Sequence, residues 1–585
     1  MTETLRAGTG GANAGAADAT HTGLVLAGLA RDPGRVALRY GERSWTAADC
    51  LADVYRLARA LRSTGLGRGD GVTLLTGNRP EALLVRLAAN LIGCRVALLP
   101  TDRPLAELIA LAGSAGTDAF VFDPAGCDVA AAGVAAALPS ARLLALGPGR
   151  LGPGPLSPGP LSPGRLGPGP LDPGRLGTDL TALAEPLSPE PVAPRFRPQD
   201  VMAIRFTGGS TGRPKGVLRR FARPPRPELV AGSVFLLCTA LCHGGGTTAD
   251  LALAAGGTVV LQDGFAAEEV LAAIERYRVT RVYLPPHLLY RVLDHPALPR
   301  TDTGSLRRIT YTGCPAAPER LAEATRRLGR VLHQTYSLTE CGPVTRLTPD
   351  EHLDPRLLTT AGRPLPDTGV RILDEHGRPL PTGGVGRIWV STPTVMQGYW
   401  RDPGSTARVL RDGWLDTGDL GSLDGAGYLT VSGRRDPVAI VDAHNVFPRE
   451  VEGPLLTHPA VREAVMFTTT DRDRLQHAHA AVTVDPGSAV TTAELRRWVR
   501  ERGGPACEPA TVLVLPDIPL SGTGKPDLGA LRALVPDPAD PAAPAALATP
   551  AAATAAAAAT SPMPPTTPPP PAAPVPTAPG AHGPA

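Results

Sequence analysis

The chain has 585 residues, 43% hydrophobic and 19% charged content, and a formal net charge of +3. That length calls for two or more domains, and the apolar share is enough for a sizeable core. Near-balanced charge, with no basic stripe interleaved with aromatics, argues against nucleic acid as a partner.

The eight cysteines are scattered and none has CxxC spacing, so neither a zinc site nor a disulfide framework is indicated. Reduced thiols in a cytoplasm fit this pattern. No basic segment followed by an apolar stretch opens the chain, and no run of about 18 apolar residues occurs, so neither a signal peptide nor a membrane span is expected.

Residues 1–23 are rich in Gly, Ala and Thr and are expected to be disordered. From Val36 the text becomes globular. Leu51, Val54, Leu57, Ala58 and Leu61 recur at helix spacing, with Ser44 or Thr46 as the cap. Val72-Thr73-Leu74-Leu75 reads as a strand, Glu81 to Leu91 as a helix, and Cys94 to Pro100 as a strand. Strands alternating with helices predict an α/β sheet with parallel strands. In 146–177, Leu146, Leu151, Leu156, Leu161, Leu166, Leu171 and Leu176 recur every five residues, and a Pro-Gly pair follows each of the first six. Proline removes donors and glycine removes rigidity, so this is read as a low-complexity insertion in a surface loop.

Val201-Met202-Ala203-Ile204 leads as a strand into Phe206-Thr207-Gly208-Gly209-Ser210-Thr211-Gly212-Arg213-Pro214-Lys215-Gly216-Val217. Glycines let backbone N–H groups approach an anion, and Ser210 and Thr211 add hydroxyl donors. The stretch reads as a phosphate-gripping loop. It is not a Walker A loop, because Lys215 comes three residues after Gly212 and is followed by Gly216.

Further on, Val234 to Leu237, Gly257 to Leu261 and Arg281 to Pro286 read as strands, Glu268 to Tyr277 and Pro318 to Leu328 as helices. Cys242-His243-Gly244-Gly245-Gly246 and Arg308-Ile309-Thr310-Tyr311-Thr312-Gly313-Cys314 each run from strand to loop. Gln334-Thr335-Tyr336-Ser337-Leu338-Thr339-Glu340 follows, then short strands with Gly-rich turns over 367–399. Next come Gly413-Trp414-Leu415-Asp416-Thr417-Gly418-Asp419, then Ser432-Gly433-Arg434-Arg435-Asp436, then His444-Asn445-Val446-Phe447-Pro448 and finally Ser521-Gly522-Thr523-Gly524-Lys525. From Pro536 to Ala585 the chain is almost all Ala, Pro and Thr, a disordered tail.

In this order the motifs resemble those of the acyl-adenylate-forming superfamily, which includes acyl-CoA synthetases, nonribosomal adenylation domains and luciferases. The resemblance covers about residues 35–145 and 195–535. It implies an α/β fold: a large N-terminal domain of α/β layers with a small β subdomain (24–435), and a smaller mobile α+β C-terminal domain (436–535). It further implies activation of a carboxylic acid with ATP and Mg²⁺, then transfer to CoA. Thr207, Gly208, Gly209, Ser210, Thr211, Gly212 and Lys215 would hold the phosphates. Tyr336 would stack on adenine, Thr339 would meet the α-phosphate, and Glu340 would hold the magnesium. Gly313 and Cys314 would border the adenine and acyl pockets, and His243 the carboxylate. Asp419 would accept both ribose hydroxyls, since one carboxylate has two oxygens. Arg434 would contact ribose and phosphate, Asp436 would be the pivot between domains, and Lys525 would bridge carboxylate and α-phosphate. Ser337 stands where Gly is commoner. Ala443 stands where Gly is usual beside the pantetheine tunnel, and Pro437 follows the pivot. The competing expectations are an acyl-AMP ligase that loads a carrier-protein pantetheine, and a non-catalytic nucleotide-binding or scaffold protein. Retention of Glu340, Asp419, Arg434 and Lys525 together argues against the latter.

Overall fold

Strands read from apolar runs assemble here into two sheets, most of whose strands are parallel. The computed structural model describes residues 20–147, 177–207, 214–221, 232–434, 439–485, 487–519 and 526–535. The expected site residues Gly208, Gly209, Ser210, Thr211, Gly212, Asp436 and Lys525, most of the proline-glycine repeat and the 536–585 tail lie outside the described residues.

The nine-stranded sheet runs in the order Arg363–Pro364, Gly342–Leu347, Leu332–Leu338, Arg308–Tyr311, Arg281–Tyr283, Val234–Leu237, Thr258–Leu261, Val36–Tyr40, Arg43–Thr46. Its six strands from Leu332–Leu338 to Val36–Tyr40 are parallel. The seven-stranded sheet runs Thr178–Asp179, Arg142–Ala145, Ala119–Phe122, Gly71–Leu75, Arg95–Leu99, Val201–Thr207, Lys215–Arg220, with only the last pairing antiparallel. Both faces of such a sheet are covered, and Ala119–Phe122 is accordingly buried at every position. Helix Pro80–Leu91 is buried along its whole length. Its polar groups therefore need partners. Arg86 pairs with Asp250, and the Asn90 amide donates to the carbonyls of Cys94 and Met202.

Helix Ala47–Ser63 is capped by Thr46, not Ser44, through a reciprocal box with Asp49. The N-terminal expectation needs correction: within the stretch read as disordered, Thr20 caps a helix over His21–Ala30, its hydroxyl accepting from the Gly23 N–H. The helix holds because Val25 and Leu29 enter the core and His21 pairs with Asp250. The repeat also starts later than its sequence period. Leu146 is fully buried, and its N–H donates to the Phe122 carbonyl.

A five-stranded sheet, Gly369–Leu373, Gly386–Ser391, Trp414–Leu423, Leu410–Arg411 and Leu429–Arg434, forms the β subdomain. The smaller C-terminal domain has a sheet of Val461–Thr470, Gln476–Val484 and Thr511–Val514, packed by helices Pro448–Leu456 and Thr492–Gly503. A hairpin, Ala439–Val441 with His444–Val446, precedes it. Among the described residues no helix is long and apolar enough to cross a membrane.

Candidate active site

A cleft of about 1250 Å³ opens where the parallel strands of both large sheets end at their C-terminal edges. Ligands of open α/β sheets bind at such edges. Thr76 and Asn78 follow strand Gly71–Leu75, Asp102 follows Arg95–Leu99, His243 follows Val234–Leu237, and Gly313 follows Arg308–Tyr311. The cleft brings together the expected residues Thr207, Lys215, His243, Gly313, Cys314, Tyr336, Thr339, Glu340, Asp419 and Arg434.

Asp419 and Arg434 lie opposite each other on adjacent antiparallel strands, with Arg434 Nε donating to Asp419 Oδ1 at 2.7 Å. Burial opposes the Arg434 charge, and Asp419 more than offsets it. The Tyr336 hydroxyl donates to the other carboxylate oxygen, Oδ2. Burial, then Asp419, raises the Tyr336 phenol well above its ordinary range, so it stays a donor. Each carboxylate oxygen has two acceptor positions, so Asp419 keeps capacity for two further donors such as a vicinal diol.

Strand Leu332–Leu338 turns through Thr339 and Glu340 into Gly342–Leu347, with Gly342 at φ +70°. Sequence reasoning missed what holds this turn. Arg219, on the strand after the phosphate loop, donates to the Thr339 carbonyl and, at 2.5 Å, to the Thr394 carbonyl. The Tyr399 hydroxyl donates to Glu340 Oε1 at 3.0 Å, and Lys215 Nζ lies 5.2 Å from the Tyr399 ring centroid. Among the described residues no cluster of three or more His, Cys, Asp or Glu side chains forms a metal cage. One carboxylate such as Glu340 is a fitting anchor for Mg²⁺, which is commonly held by few protein ligands and by substrate phosphates.

His243 immediately precedes helix Gly244–Ala254 and faces the cleft. Gly246 is required here, since a Cβ on it would lie 2.0 Å from the Leu241 carbonyl oxygen. Asn78, in the turn after strand Gly71–Leu75, clips this corner: its amide donates to the Thr239 and Gln262 carbonyls at 2.9 Å and accepts from Leu241 N–H at 2.8 Å. His243 is solvent-exposed within the cleft, and crowding by the cleft walls, then His444, lowers its imidazole below the ordinary value. Burial pushes the Cys314 thiol up to about 12, which makes it a lining group and a poor nucleophile.

The C-terminal domain closes the cleft with its hairpin. Asp442 at φ +47° and Ala443 at φ +63° form the two-residue turn, the signature of type I′. A Cβ placed on Gly313 would lie 3.2 Å from the Ala443 methyl. His444 meets His243 edge to face, with ring centroids 5.9 Å apart. Asp527 N–H donates to the Pro519 carbonyl at 2.8 Å and so ties the two stems of the loop that carries Lys525. Neither stem residue, Pro519 nor Pro526, lines the cleft.

The sequence matches the profile of the AMP-binding enzyme family over residues 27–400, and that of the AMP-binding enzyme C-terminal domain over 450–525. It is 34% identical to a medium/long-chain-fatty-acid–CoA ligase of Mycobacterium tuberculosis, over 88% of this chain and 90% of that protein. A feruloyl-CoA synthase of Amycolatopsis is 30% identical over 86% of this chain and 96% of its own. Among solved structures, the amide bond synthetase McbA of Marinactinospora thermotolerans is similar with a TM-score of 0.76 and 36% identity, covering 88% of this chain and 99% of that one.

Proposed function

The chain belongs to the AMP-binding enzyme family, and from that premise we propose that it joins a carboxylic acid to the α-phosphate of ATP and passes the acyl group to the thiol of CoA. It is an AMP-forming ligase of the acyl-CoA synthetase kind. The observation that carries the residue roles is the convergence of Lys215, Tyr336, Thr339, Glu340, Asp419 and Arg434 on one cleft.

A carboxylate is a poor electrophile, and acyl-AMP formation gives it a good leaving group. Attack brings two anions together, so the site must neutralise charge and hold an in-line geometry. In our reading Asp419 takes the ribose hydroxyls, with Arg434 holding its carboxylate in place. Tyr336 offers its ring to adenine while its hydroxyl keeps Asp419 oriented. The Thr339 hydroxyl and Lys525 meet the α-phosphate, and Arg219 fixes the turn that presents Thr339. Glu340, oriented by Tyr399, would hold Mg²⁺, which when bound screens the triphosphate charge. Thr207 to Lys215 would hold the departing pyrophosphate. His243 and Cys314 would line the acid.

The hairpin of the C-terminal domain faces the cleft, with Asp442, Ala443 and His444 in its lining. That arrangement suits the second step, acyl transfer. A second reading has a specific footing. The likeness to an amide bond synthetase, with Ala443 at the hairpin tip, favours an amine as acceptor. A carrier-protein pantetheine is a third acceptor, through partial likeness to a fatty acid–acyl-carrier-protein ligase of Streptomyces coeruleorubidus. The eight free thiols fit a reducing cytoplasm, the compartment we propose.

The test is carboxylate-dependent pyrophosphate release over fatty and aryl acids, with CoA, amines or a carrier protein as acceptor. Release that needs one acid, rises with CoA and falls about 10²–10³-fold in Lys525→Ala supports the ligase reading. Acceleration by an amine alone would transfer the proposal to amide formation. ATP binding without release for any acid would overturn it.

A further inference from the structure

The domain interface carries an imidazole that the two half-reactions above leave unused. His444 opens the second hairpin strand, directly after Ala443. Its Nδ1 lies 3.0 Å from the Asp442 carbonyl oxygen, and its Nε2 4.0 Å from Asp102 Oδ2 across the interface. A carbonyl oxygen only accepts, so we assign the neutral tautomer with the proton on Nδ1. That leaves the Nε2 lone pair free beside the cleft, with a carboxylate placed to steady the ring once Nε2 gains a proton.

We propose that His444 is the general base of the acyl-transfer step and that Asp102 is its positioning residue. The proposal rests on the ligase reading. The incoming thiol gives its proton to His444 Nε2 as its sulfur attacks the acyl carbonyl. The S–C bond forms, the bond from carbonyl carbon to phosphate oxygen breaks, and AMP leaves with that electron pair. The imidazolium is held against Asp102 and returns its proton to solvent.

Position favours His444 over its neighbour. His243 faces the same space but belongs to the large domain, where it opens helix Gly244–Ala254 and is placed against the acid. His444 rides on the C-terminal domain, so rotation of that domain takes it away from Asp102. Proton removal is thereby confined to the state in which the hairpin borders the cleft, and the acyl-adenylate is spared a base while it is being made. The other ionisable groups that face this corner are Arg103 and Glu107, 3.5 Å apart, His287, Asp442 and Glu450. Arg103 opposes a second positive charge, while Asp442, Glu107 and Glu450 favour it.

The experiment uses the full chain with decanoate and ferulate as acids and CoA as acceptor. Acyl-adenylate is formed first, and transfer is then followed in single turnover from about pH 6 to 9. His444→Gln is expected to lower the ratio of transfer to adenylation about 10²-fold. Its remaining rate should follow only the thiol's own ionisation near 8.5. Asp102→Asn should lower transfer about tenfold while leaving acyl-adenylate formation unchanged, since the carboxylate 4.0 Å from Nε2 that steadies the ring is gone. Added imidazole should restore part of the transfer in His444→Ala. Unchanged transfer and profile in His444→Gln would overturn the proposal, as would an equal loss in both half-reactions. A wild-type chain that forms no acyl-adenylate from either acid while binding ATP would overturn the ligase reading itself, a result distinct from the others.

Discussion

Gly313 and Ala443 meet across the domain interface, and a Cβ on the glycine would lie 3.2 Å from the alanine methyl. Both residues have positive φ, +97° and +63°. The glycine tolerates this freely, and the alanine does so at a cost of about 1 kcal/mol. Ala443→Gly is therefore expected to stabilise the C-terminal domain by about 1 kcal/mol, read from the denaturant midpoint. Gly313→Ala should do the reverse of widening: a strained backbone and a second methyl at the contact lower acyl transfer more than pyrophosphate release. Equal losses in both steps would mean that the contact does not border the acceptor path.

Arg219 presents Thr339 through a carbonyl. Arg219→Met removes the donor for two carbonyls and lets the turn shift. A displacement of about 1 Å at a reacting centre costs on the order of 10²-fold in rate. ATP–pyrophosphate exchange should fall by about that factor, with Arg219→Lys intermediate. An unchanged exchange rate would reduce Arg219 to a structural residue.

The Asp419 carboxylate has both oxygens engaged, by Arg434 and Tyr336. Asp419→Asn leaves the Arg434 charge without its partner and removes an acceptor. Hydrogen bonds to charged groups contribute about 1.5–3 kcal/mol. The dissociation constant of ATP should rise at least tenfold, measured by titration calorimetry, whereas Tyr336→Phe, which keeps the ring, should cost less. An Asn variant that binds ATP normally would remove Asp419 from the ribose site.

Asp250, 1% exposed, is held by Arg86 and by His21 at 2.9 Å. Burial alone would raise its carboxyl; Arg86 and His21 override this and hold it well below the usual carboxylate range. A depressed carboxyl stabilises the fold fully above its unfolded value of about 3.9, and that contribution is lost as pH falls further. Asp250→Asn, which strands Arg86 in the interior, should destabilise by about 3–5 kcal/mol at neutral pH. It should also flatten the stability curve below about pH 4, checked by chemical unfolding across that range.

His479 works in the opposite window. It is 4% exposed, and burial, then His477, pushes it down to about 4. The unfolded chain takes up this proton near 6.5, so stability rises with pH between about 4 and 6.5 and is fully present above. His479→Gln should weaken the acid lability of the C-terminal domain in that interval, followed by circular dichroism at fixed temperature. No change in slope would mean that this imidazole is protonated in the folded state.

Local signals carried much of this fold. Helix Pro318–Leu328 has the bounds its proline start and periodic leucines suggest. Thr207, Lys215, Gly313 and Arg434 reached one cleft because each lies at or just past a strand end, whereas Tyr336 and Asp419 reach it from within the strands Leu332–Leu338 and Trp414–Leu423. Helix His21–Ala30 escaped notice because it is apolar around its circumference and shows no polar face to set a period. Arg219 escaped because its partner Thr339 lies more than 100 residues away, and the same kind of separation hid that Asn78 clips Leu241. The His444–Asp102 approach depends on how two domains meet, which no local spacing encodes.

Strand Arg142–Ala145 pairs in parallel with Thr178–Asp179, Leu144 opposite Thr178, at the rim of the seven-stranded sheet. The two ends of the five-residue repeat are thus anchored in register by backbone hydrogen bonds that do not depend on what joins them. Exchange of residues 148–176 for a short peptide tag is therefore expected to leave pyrophosphate release unchanged, since the flanking strands are paired with each other.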